Sequence, residues 1–195
     1  MKREFILRAR KSRTDHNWSL DDLPAAGRME VVAACASNAI CISNHLRNDT
    51  IIHLVLEGPP TPPKLISIDG AMVQGFEFGE AGVAKFIHKA LKLSRNGLEN
   101  PMPGVTVQKK SFEALVREKC ESGASVFYLH PDGEDIRTTT LSDHVVFLFG
   151  DYIGMPSKSE SLLDRLGCKQ ITLGPVVLFA SHCITVVHNE LDRRN

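Results

Sequence analysis

Short apolar runs, each closed by turn residues, occupy much of the last third of the chain. They are Val126–Leu129, Val145–Phe149 and Ile171–Leu173. None of the three alternates with polar residues, and this is typical of strands that are buried on both faces of a parallel sheet. The pattern therefore predicts three adjacent parallel strands with helices on both sides.

Other segments have apolar residues at helical spacing, every three or four positions, which indicates amphipathic helices. The stripes are Val32, Cys35, Ala39, Ile42, Leu46; Val83, Phe86, Ala90, Leu93; and Ala180, Ile184, Val187, Leu191. Further strands are predicted from Phe5, over Ile51–Leu56 and over Lys64–Ile68, and further helices from Ser111 and over Ser157–Leu166. This order predicts an α/β fold, with a mostly parallel sheet and helices on both faces.

The size and composition indicate one globular domain over residues 1–195. Hydrophobic residues make up 43% and charged residues 24%, so the chain is not of the disordered class. No apolar run reaches the ~18–20 residues of a membrane span. The five cysteines are scattered without CxxC spacing, so neither a disulfide framework nor a zinc site is expected, and a reducing cytoplasm fits best.

Charge is balanced over the whole chain but not at its start. The 23 basic residues equal the 23 acidic ones, which excludes a wholly basic nucleic-acid binder. Residues 2–13 carry one acid, Glu4, and six basic groups: Lys2, Arg3, Arg8, Arg10, Lys11, Arg13. In a strand Arg8 and Arg10 share a face. Such an arm indicates a local anionic partner such as a phosphate backbone; a solvated, charged edge strand is the alternative.

The three predicted strands are each followed by a glycine-containing loop. These loops hold Pro131–Gly133, Gly150–Gly154 and Leu173–Pro175. Because ligands of α/β sheets bind at the carboxyl ends of the strands, the loops are candidates for binding a planar, polar ligand such as adenine. The alternative is that the glycines only form turns. The usual glycine-rich phosphate-binding motifs are missing.

Ser181-His182-Cys183 at the start of the last helix raises the question of a cysteine nucleophile. Adjacent helical side chains point about 100° apart, so His182 is poorly placed to deprotonate Cys183. Packing or ligand contact is the favoured role of Cys183, although a helix N-terminus gives a thiol some thiolate character. His182 and His188 are six apart and predict no metal pair.

A second polar cluster contains Asp21, Asp22 and Arg28. Two carboxylates and an arginine beyond the basic strand could hold and deprotonate a substrate. Acidic capping of a helix start, with an ion pair between Arg28 and an aspartate, is the plainer alternative and the one that this pattern favours.

Several strings together resemble one protein family. They are REFILRARK (3–11), NWSLDDLPAAGRMEVVAAC (17–35), HLRNDTIIHLVLEGPP (45–60), FLFGDYIGMP (147–156) and LGPVVLFASHCITVVHNELDRR (173–194). They resemble the TrmY family of SPOUT methyltransferases, and the resemblance covers nearly the whole chain. That family transfers a methyl group from S-adenosylmethionine to N1 of pseudouridine in the T-loop of archaeal tRNA.

The resemblance implies a deep C-terminal trefoil knot, a homodimer, and a cofactor held by the knot loops. Carried over to this chain, the cofactor contacts fall in the loops that the glycine pattern selects. They are Leu129, Gly150, Leu173, Gly174, Pro175, Val176, Val177, Leu178 and Cys183. The resemblance also gives roles to the polar cluster: Asp22 toward the N1 proton and Arg28 near the carbonyls of the base. Arg8, Arg10 and Lys11 are then expected to bind RNA phosphates.

One motif departs from the family pattern. Archaeal members usually have Asp-Leu-Pro-Gly-x-Gly-Arg, whereas this chain has alanine at position 25 in the stretch Asp22–Arg28. Losing a glycine narrows the backbone conformations open to this loop. A bacterial branch of the family therefore stays open. So do two other functions, a SPOUT methyltransferase acting on another RNA base or ribose, for example in rRNA, and a non-catalytic RNA-binding dimer.

Overall fold

The computed structural model describes residues 1–194 and contains nine strands and five α-helices in that range. The strands are β1 (Lys2–Ala9), β2 (Cys41–Ile42), β3 (His45–Leu46), β4 (Thr50–Leu56), β5 (Lys64–Asp69), β6 (Val105–Gln108), β7 (Ser125–Asp135), β8 (His144–Gly150) and β9 (Lys169–Thr172). The helices are α1 (Met29–Ile40), α2 (Glu80–Leu93), α3 (Phe112–Glu121), α4 (Ser157–Arg165) and α5 (Ala180–Asp192). Short 3-10 turns cover Pro24–Ala26 and Ser94–Asn96.

Seven of the strands form one sheet in the order β6-β5-β4-β1-β8-β7-β9. The five strands β4, β1, β8, β7 and β9 run parallel, and β5 pairs antiparallel with both β4 and β6. The prediction of a mostly parallel sheet is confirmed, and so is the adjacency of β8, β7 and β9. All five parallel strands consequently present their carboxyl ends at one edge.

Helices cover the sheet on both faces, which explains why a central strand such as β8 lacks polar alternation. On β8, Phe147 and Phe149 pack into the core under α1, α2 and α5. The intervening Val146 and Leu148 pack into a second core under α3 and α4. Each residue of such a strand meets an apolar layer, so the sequence shows a continuous apolar run.

The predicted stripe of the first helix is longer than the helix itself. Val32, Cys35 and Ala39 are buried as expected, but α1 ends at Ile40 and the chain enters the β2–β3 hairpin. Ile42 and Leu46 belong to that hairpin, whose turn holds Asn44 in the left-handed region (φ 65°). The hairpin repeats apolar residues at a spacing that imitates a helix. Strand β6 was not predicted at all.

Glu4 on the central strand is fully buried and has four basic partners. Its carboxylate lies 2.7 Å from His53 Nε2 and 2.7 Å from Lys119 Nζ, and 2.8 Å from His144 Nε2 and 3.0 Å from Lys2 Nζ. Burial alone would raise the pKa of Glu4. Hydrogen bonds and charge from His53 and Lys119 outweigh it and hold that pKa far below its usual range.

Replacing the Glu4 carboxylate by an amide should destabilise the fold, because it leaves buried basic groups without their counter-charge. We expect Glu4→Gln to lower the free energy of unfolding by about 3 kcal/mol at pH 7. The measurement is urea unfolding. Glu118→Gln is the matched control, since Glu118 forms an exposed pair with Lys110 and such pairs contribute about 0–1 kcal/mol.

The same residue sets a pH dependence. A carboxyl whose pKa is lower in the folded state stabilises the fold above the unfolded pKa of ~4.3, and this contribution is lost as the pH falls below it. The wild-type chain should therefore lose stability between about pH 5 and pH 3 more steeply than Glu4→Gln. Parallel curves for the two proteins would contradict the assignment of an ionised, buried Glu4.

Candidate active site

The loops that follow β8 and β9 lie at the carboxyl edge of the sheet, on the two sides of β7. Gly150 at the end of β8 pairs with Arg8 of β1, and Leu129 of β7 pairs with Ile171 of β9. Leu173 follows β9 directly. Strand register thus brings Leu129, Gly150 and Leu173 to one edge, as the sequence predicted from separate stretches of the chain.

The loop after β8 is tied to the end of β1 by one carboxylate. Asp151 Oδ2 accepts from the backbone N–H of Arg10 at 2.7 Å, and its Oδ1 accepts from that of Ile153 at 2.9 Å. A Cβ on Gly150 would lie 2.7 Å from the carbonyl carbon of Gly154. The loop therefore folds back closely on itself, and this return requires glycine at position 150.

The segment after Leu129 is not the strand-ending loop that the sequence predicted. Strand β7 continues to Asp135, and residues 130–133 bulge out of it. Ile171 pairs with both Leu129 and Glu134, so the extra residues have no place in the ladder. A Cβ at Gly133 would lie 2.5 Å from the Ile171 backbone. The glycine here permits a bulge to pass over β9.

The loop from Leu173 to Leu178 presents its backbone to the outside. Within residues 1–194, the N–H groups of Val176, Val177 and Leu178 have no hydrogen-bond partner. Val177 is 86% exposed. Gly174 has φ 129°, a conformation that L side chains rarely adopt, and open space lies where its Cβ would be. Free backbone donors and an open glycine suit a ligand with its own acceptors.

Cys183 holds this loop and is not set up as a nucleophile. Its thiol donates to the Leu178 carbonyl at 3.6 Å, and the side chain is buried. Burial raises the pKa of Cys183 to about 11, so the thiolate character expected at a helix start does not develop. The exposed His182 contacts the Phe179 ring instead, with centroids 5.7 Å apart.

The turn that carries Asp22 and Arg28 packs on the segment after β1. Asp22 Oδ1 accepts from the Ala25 N–H at 3.2 Å, within the 3-10 turn. Helix α1 begins at Met29 without a side-chain cap, so the acidic cap predicted for that helix start is wrong. Gly27 (φ 76°) and Arg28 (φ 68°) are both left-handed. The Gly27 carbonyl accepts from the Ser12 hydroxyl at 2.8 Å. A left-handed arginine is costly, and such backbone concentrates at functional sites.

Arg28 joins this turn to the loop after β8. Its guanidinium carbon lies 5.2 Å from the centre of the exposed Tyr152 ring. Its Nε pairs with Glu30 at 2.8 Å, so the predicted ion pair with an aspartate is wrong. Glu30, a carboxylate in the first turn of α1, is the nearer partner because the left-handed backbone of Arg28 turns its side chain toward it. Sequence reasoning missed Glu30, Asp151 and Tyr152, although an aromatic residue between two loop glycines was a usable signal for Tyr152.

The basic arm is divided between structural and free cations. Arg3 is buried and pairs with Asp49 and Asp192. Arg8 pairs with Glu57 and Glu113, each at 3.0 Å, and lies over the Phe112 ring. Arg13 pairs with Asp15. Among the described residues, Arg10 and Lys11 have no ion-pair partner. Arg8 and Arg10 do not form the shared face that alternation predicted, because β1 ends at Ala9.

Three further observations concern the rest of residues 1–194. A cavity of about 670 Å³ is lined by residues of β4, β5, β6 and α3 and by none of the residues of the glycine loops. In that range no three His, Cys, Asp or Glu side chains are grouped as a metal site. The helices described there are all too short or too polar to cross a membrane.

Known proteins resemble this chain along its whole length. A family model described as "Putative SAM-dependent RNA methyltransferase" matches residues 2–195. The tRNA (pseudouridine(54)-N(1))-methyltransferase of Methanocaldococcus jannaschii is 38% identical over 98% of this chain and 97% of that protein. The protein of the same name from Methanococcus aeolicus is 39% identical over 97% of each chain. This chain belongs to the TrmY family of RNA methyltransferases.

A solved structure supports the fold of this TrmY-family chain. Archaeoglobus fulgidus Nep1, crystallised with S-adenosylhomocysteine, superposes with a TM-score of 0.61 over 99% of this chain and 98% of that chain. The two sequences are only 13% identical, so the likeness concerns architecture alone.

The loops of the TrmY-family chain fit a nucleoside-bearing cofactor by their donor sets. Leu129 and Leu173 are partly buried and pack against the core, so they offer an apolar wall. The free N–H groups of residues 176–178 offer donors to a purine or a carboxylate. Gly174 leaves the backbone beside it accessible, whereas the space beside Gly150 is filled by the backbone of Gly154 and Met155.

Gly27 should be the most sensitive glycine of the site. Its Cβ would fall onto the carbonyl oxygen of Lys11, and its φ is already left-handed. We expect Gly27→Ala to cost about 3 kcal/mol of unfolding free energy, from backbone strain and collision together. Urea unfolding measures it.

Gly97→Ala is the matched control. Gly97 has a similar φ of 83° but open space around its Cβ, so its loss should be about 1 kcal/mol. Equal losses of unfolding free energy in the two variants would show that the Gly27 turn is not in close contact with the Lys11 carbonyl.

Proposed function

We propose that this chain transfers a methyl group from S-adenosylmethionine to N1 of pseudouridine in tRNA, at position 54 of the T-loop. The proposal rests on the family and on the names of the relatives given above. The observation that carries it is the stacking of Arg28 on Tyr152. Through this contact the turn that bears Asp22 meets the loop that begins at Gly150.

The cofactor would be held by the residues that the family resemblance implies. They are Leu129, Gly150, Leu173, Gly174, Pro175, Val176, Val177, Leu178 and Cys183. Support comes from the position of Leu129, Gly150 and Leu173 on adjacent strands. Cys183 would act through Leu178, whose carbonyl its thiol binds. When bound, S-adenosylmethionine supplies an electrophilic methyl group on a sulfonium with a good leaving group.

The chain's own residues then have three tasks. They align N1 with the methyl group, accept the N1 proton, and stabilise the negative charge that spreads to the base carbonyls. Arg28 provides the positive charge, since its pairing with Glu30 uses Nε and leaves both terminal amino groups available. Asp22 is exposed and would take the proton as N1 bonds to carbon and the carbon–sulfur bond breaks.

Arg10 and Lys11 are proposed to bind RNA phosphates. Both are unpaired among the described residues, and both follow β1 at the carboxyl edge. Arg8 is assigned a structural role in place of the predicted phosphate contact, because two carboxylates already neutralise it.

Replacing either polar residue should slow methyl transfer. With saturating pseudouridine-containing T-arm RNA, we expect Arg28→Gln to lower kcat by ~10²–10³ and Asp22→Asn by ~10² or more. The measurement is mass spectrometry of N1-methylpseudouridine after digestion of the RNA to nucleosides.

Asp21→Asn is the control, because Asp21 is exposed and adjacent but has no assigned role. Near-full turnover in both test variants would refute the catalytic assignment. A methyl group found on another base or on ribose would favour the alternative SPOUT substrate. Calorimetry that shows no heat with S-adenosylmethionine would instead favour the non-catalytic RNA-binding dimer.

We further propose that the chain is a single SPOUT domain with a knotted C-terminus, and that it works as a cytoplasmic homodimer. Exposed apolar side chains before and at the start of α5 support a dimer. Val176, Val177 and Phe179 are 69%, 86% and 74% exposed. A cluster of this kind in a row is typical of a surface that a second copy covers.

Light scattering at micromolar concentration should give twice the chain mass. Phe179→Asp should shift the mass toward that of one chain, because a buried carboxylate opposes association. Phe78→Asp is the matched control, since Phe78 is 82% exposed in the loop before α2 and should leave the dimer intact. A single-chain mass for the unmodified protein would refute the proposal.

A further inference from the structure

The solvent face of α2 carries a stripe of cations. Lys85, Lys89 and Lys92 are exposed and recur at spacings of four and three, so they line one side of the helix. Arg95 follows in the adjoining 3-10 turn and is also exposed. We call Lys85, Lys89 and Lys92 the α2 stripe.

The α2 stripe has no counter-charge. The only acid in α2 is Glu80 in its first turn. Within the described part of the chain, none of the three lysines forms an ion pair. Like charges at spacings of three and four destabilise a helix, so the stripe opposes the element that bears it. Such an arrangement is explained when the charges face an anionic partner.

Helix α3 shows what an ordinary solvated face looks like in the same chain. Its positive residues Arg117 and Lys119 are interspersed with Glu113, Glu118 and Glu121. Lys119 is paired with the buried Glu4. Charges of both signs balance on α3. A general need for solubility therefore does not explain why the exposed face of α2 is positive only.

The α2 stripe adjoins the candidate active site through an aromatic contact. His88 lies between Lys85 and Lys92 on the helix surface, and its ring meets Trp18 edge-on with centroids 4.9 Å apart. Trp18 Nε1 donates to the Asp15 carbonyl at 2.7 Å. The segment that contains Trp18 connects Arg10 and Lys11 to the turn of Arg28. Arg10 and Lys11, which follow β1, and the stripe therefore flank one stretch of chain.

We propose that the α2 stripe binds the sugar–phosphate backbone of the RNA, away from the nucleotide that is modified. This inference rests on the proposed function for the identity of the RNA. Lys92 lies seven residue steps from Lys85, or about 10 Å along the helix, which matches about three phosphate spacings of ~3.4 Å along one strand. Contacts of this kind position an RNA and carry no sequence information.

The test is a triple neutralisation, Lys85→Gln, Lys89→Gln and Lys92→Gln, in the full chain. Glutamine is a good helix former and removes the repulsion, so α2 should remain folded. We expect the Kd for pseudouridine-containing tRNA to rise about tenfold at ~0.1 M salt. The slope of log affinity against log salt should fall by about 2. The KM for RNA should rise in parallel, with kcat at saturating RNA and affinity for S-adenosylmethionine unchanged.

The control neutralises two cations elsewhere, with Arg117→Gln on α3 and Lys169→Gln at the start of β9. Both residues are exposed, and they lie on the other face and at the other edge of the sheet. This variant should keep the affinity and the salt slope of the unmodified protein. If circular dichroism shows that the triple variant has lost helix, Lys89→Gln alone replaces it, with an expected fall in slope of about 1.

Failure of this inference is distinguishable from failure of the proposed function. If the triple variant transfers the methyl group with an unchanged KM for RNA and an unchanged salt slope, the RNA-binding role of the α2 stripe is refuted, whereas the proposed function is not. If the parent protein transfers no methyl group but the triple variant binds RNA more weakly and with a smaller salt slope, the proposed function is refuted and the RNA-binding role of the stripe is supported. Equal losses in the triple and control variants overturn the stripe, because they reflect total charge.

Discussion

Five parallel strands with their carboxyl ends at one edge are the constraint on which the candidate site depends. The loops after β1, β4, β8 and β9 all lie at that edge, and each loop places different side chains there. Position along the sheet decides which groups meet. Since β1 lies between β4 and β8, the turn that packs on the end of β1 comes next to the loop after β8. Arg28 can then reach Tyr152 although the two residues are far apart in sequence.

The central strand β1 is covered by helices on both faces, so its polar residues need buried partners. Arg3 is the example. Arg3 is 2% exposed and lies between Asp49 and Asp192. It also donates to His188 Nδ1 at 3.1 Å. Burial, assisted by the charges of Arg47 and Arg3, lowers the pKa of His188 to about 3, so this histidine accepts the bond as a neutral ring. Charged residues at the start of β1 thus fasten it to α5, while its far end remains available to the site.

The apolar runs of β7 and β8 gave the strongest prediction of the fold, because burial on both faces leaves a strong signal in a short stretch. The same prediction for Ile171–Leu173 was wrong, since β9 lies at the edge of the sheet and only Ile171 in it is buried. The same reasoning failed at Ile42 and Leu46, where a hairpin repeats residues at a helical spacing. It also failed at residues 130–133, since a bulge and a loop have the same composition. These errors are local. They concern backbone paths that are decided by strand pairing, in the β2–β3 hairpin and in the β7–β9 ladder.

Charge was predicted less well than hydrophobicity, for a physical reason. The sequence shows that Arg8 and Arg10 are basic, but an ion pair depends on which carboxylate the fold brings near. Glu57 and Glu113 come from separate elements to neutralise Arg8. No pattern in residues 2–13 indicates this. Family resemblance transfers residue types to positions and is equally silent about partners, which is why Glu30 entered only with the structure.

Rigidity and openness are divided between the two sides of the candidate site. The turn of Gly27 and Arg28 is left-handed and bonded to Ser12, so its backbone is fixed before any ligand binds. The loop after β9 is the opposite case, with free N–H groups and exposed side chains. An arginine that is held in place stabilises developing charge without reorganisation. A loop with unpaired N–H donors instead forms its hydrogen bonds with the ligand that it binds.

Alanine at position 25 is compatible with a fixed Arg28, because the left-handed conformations begin at Gly27 and position 25 lies in the preceding 3-10 turn. The departure from the family's glycine therefore leaves the geometry of Arg28 intact.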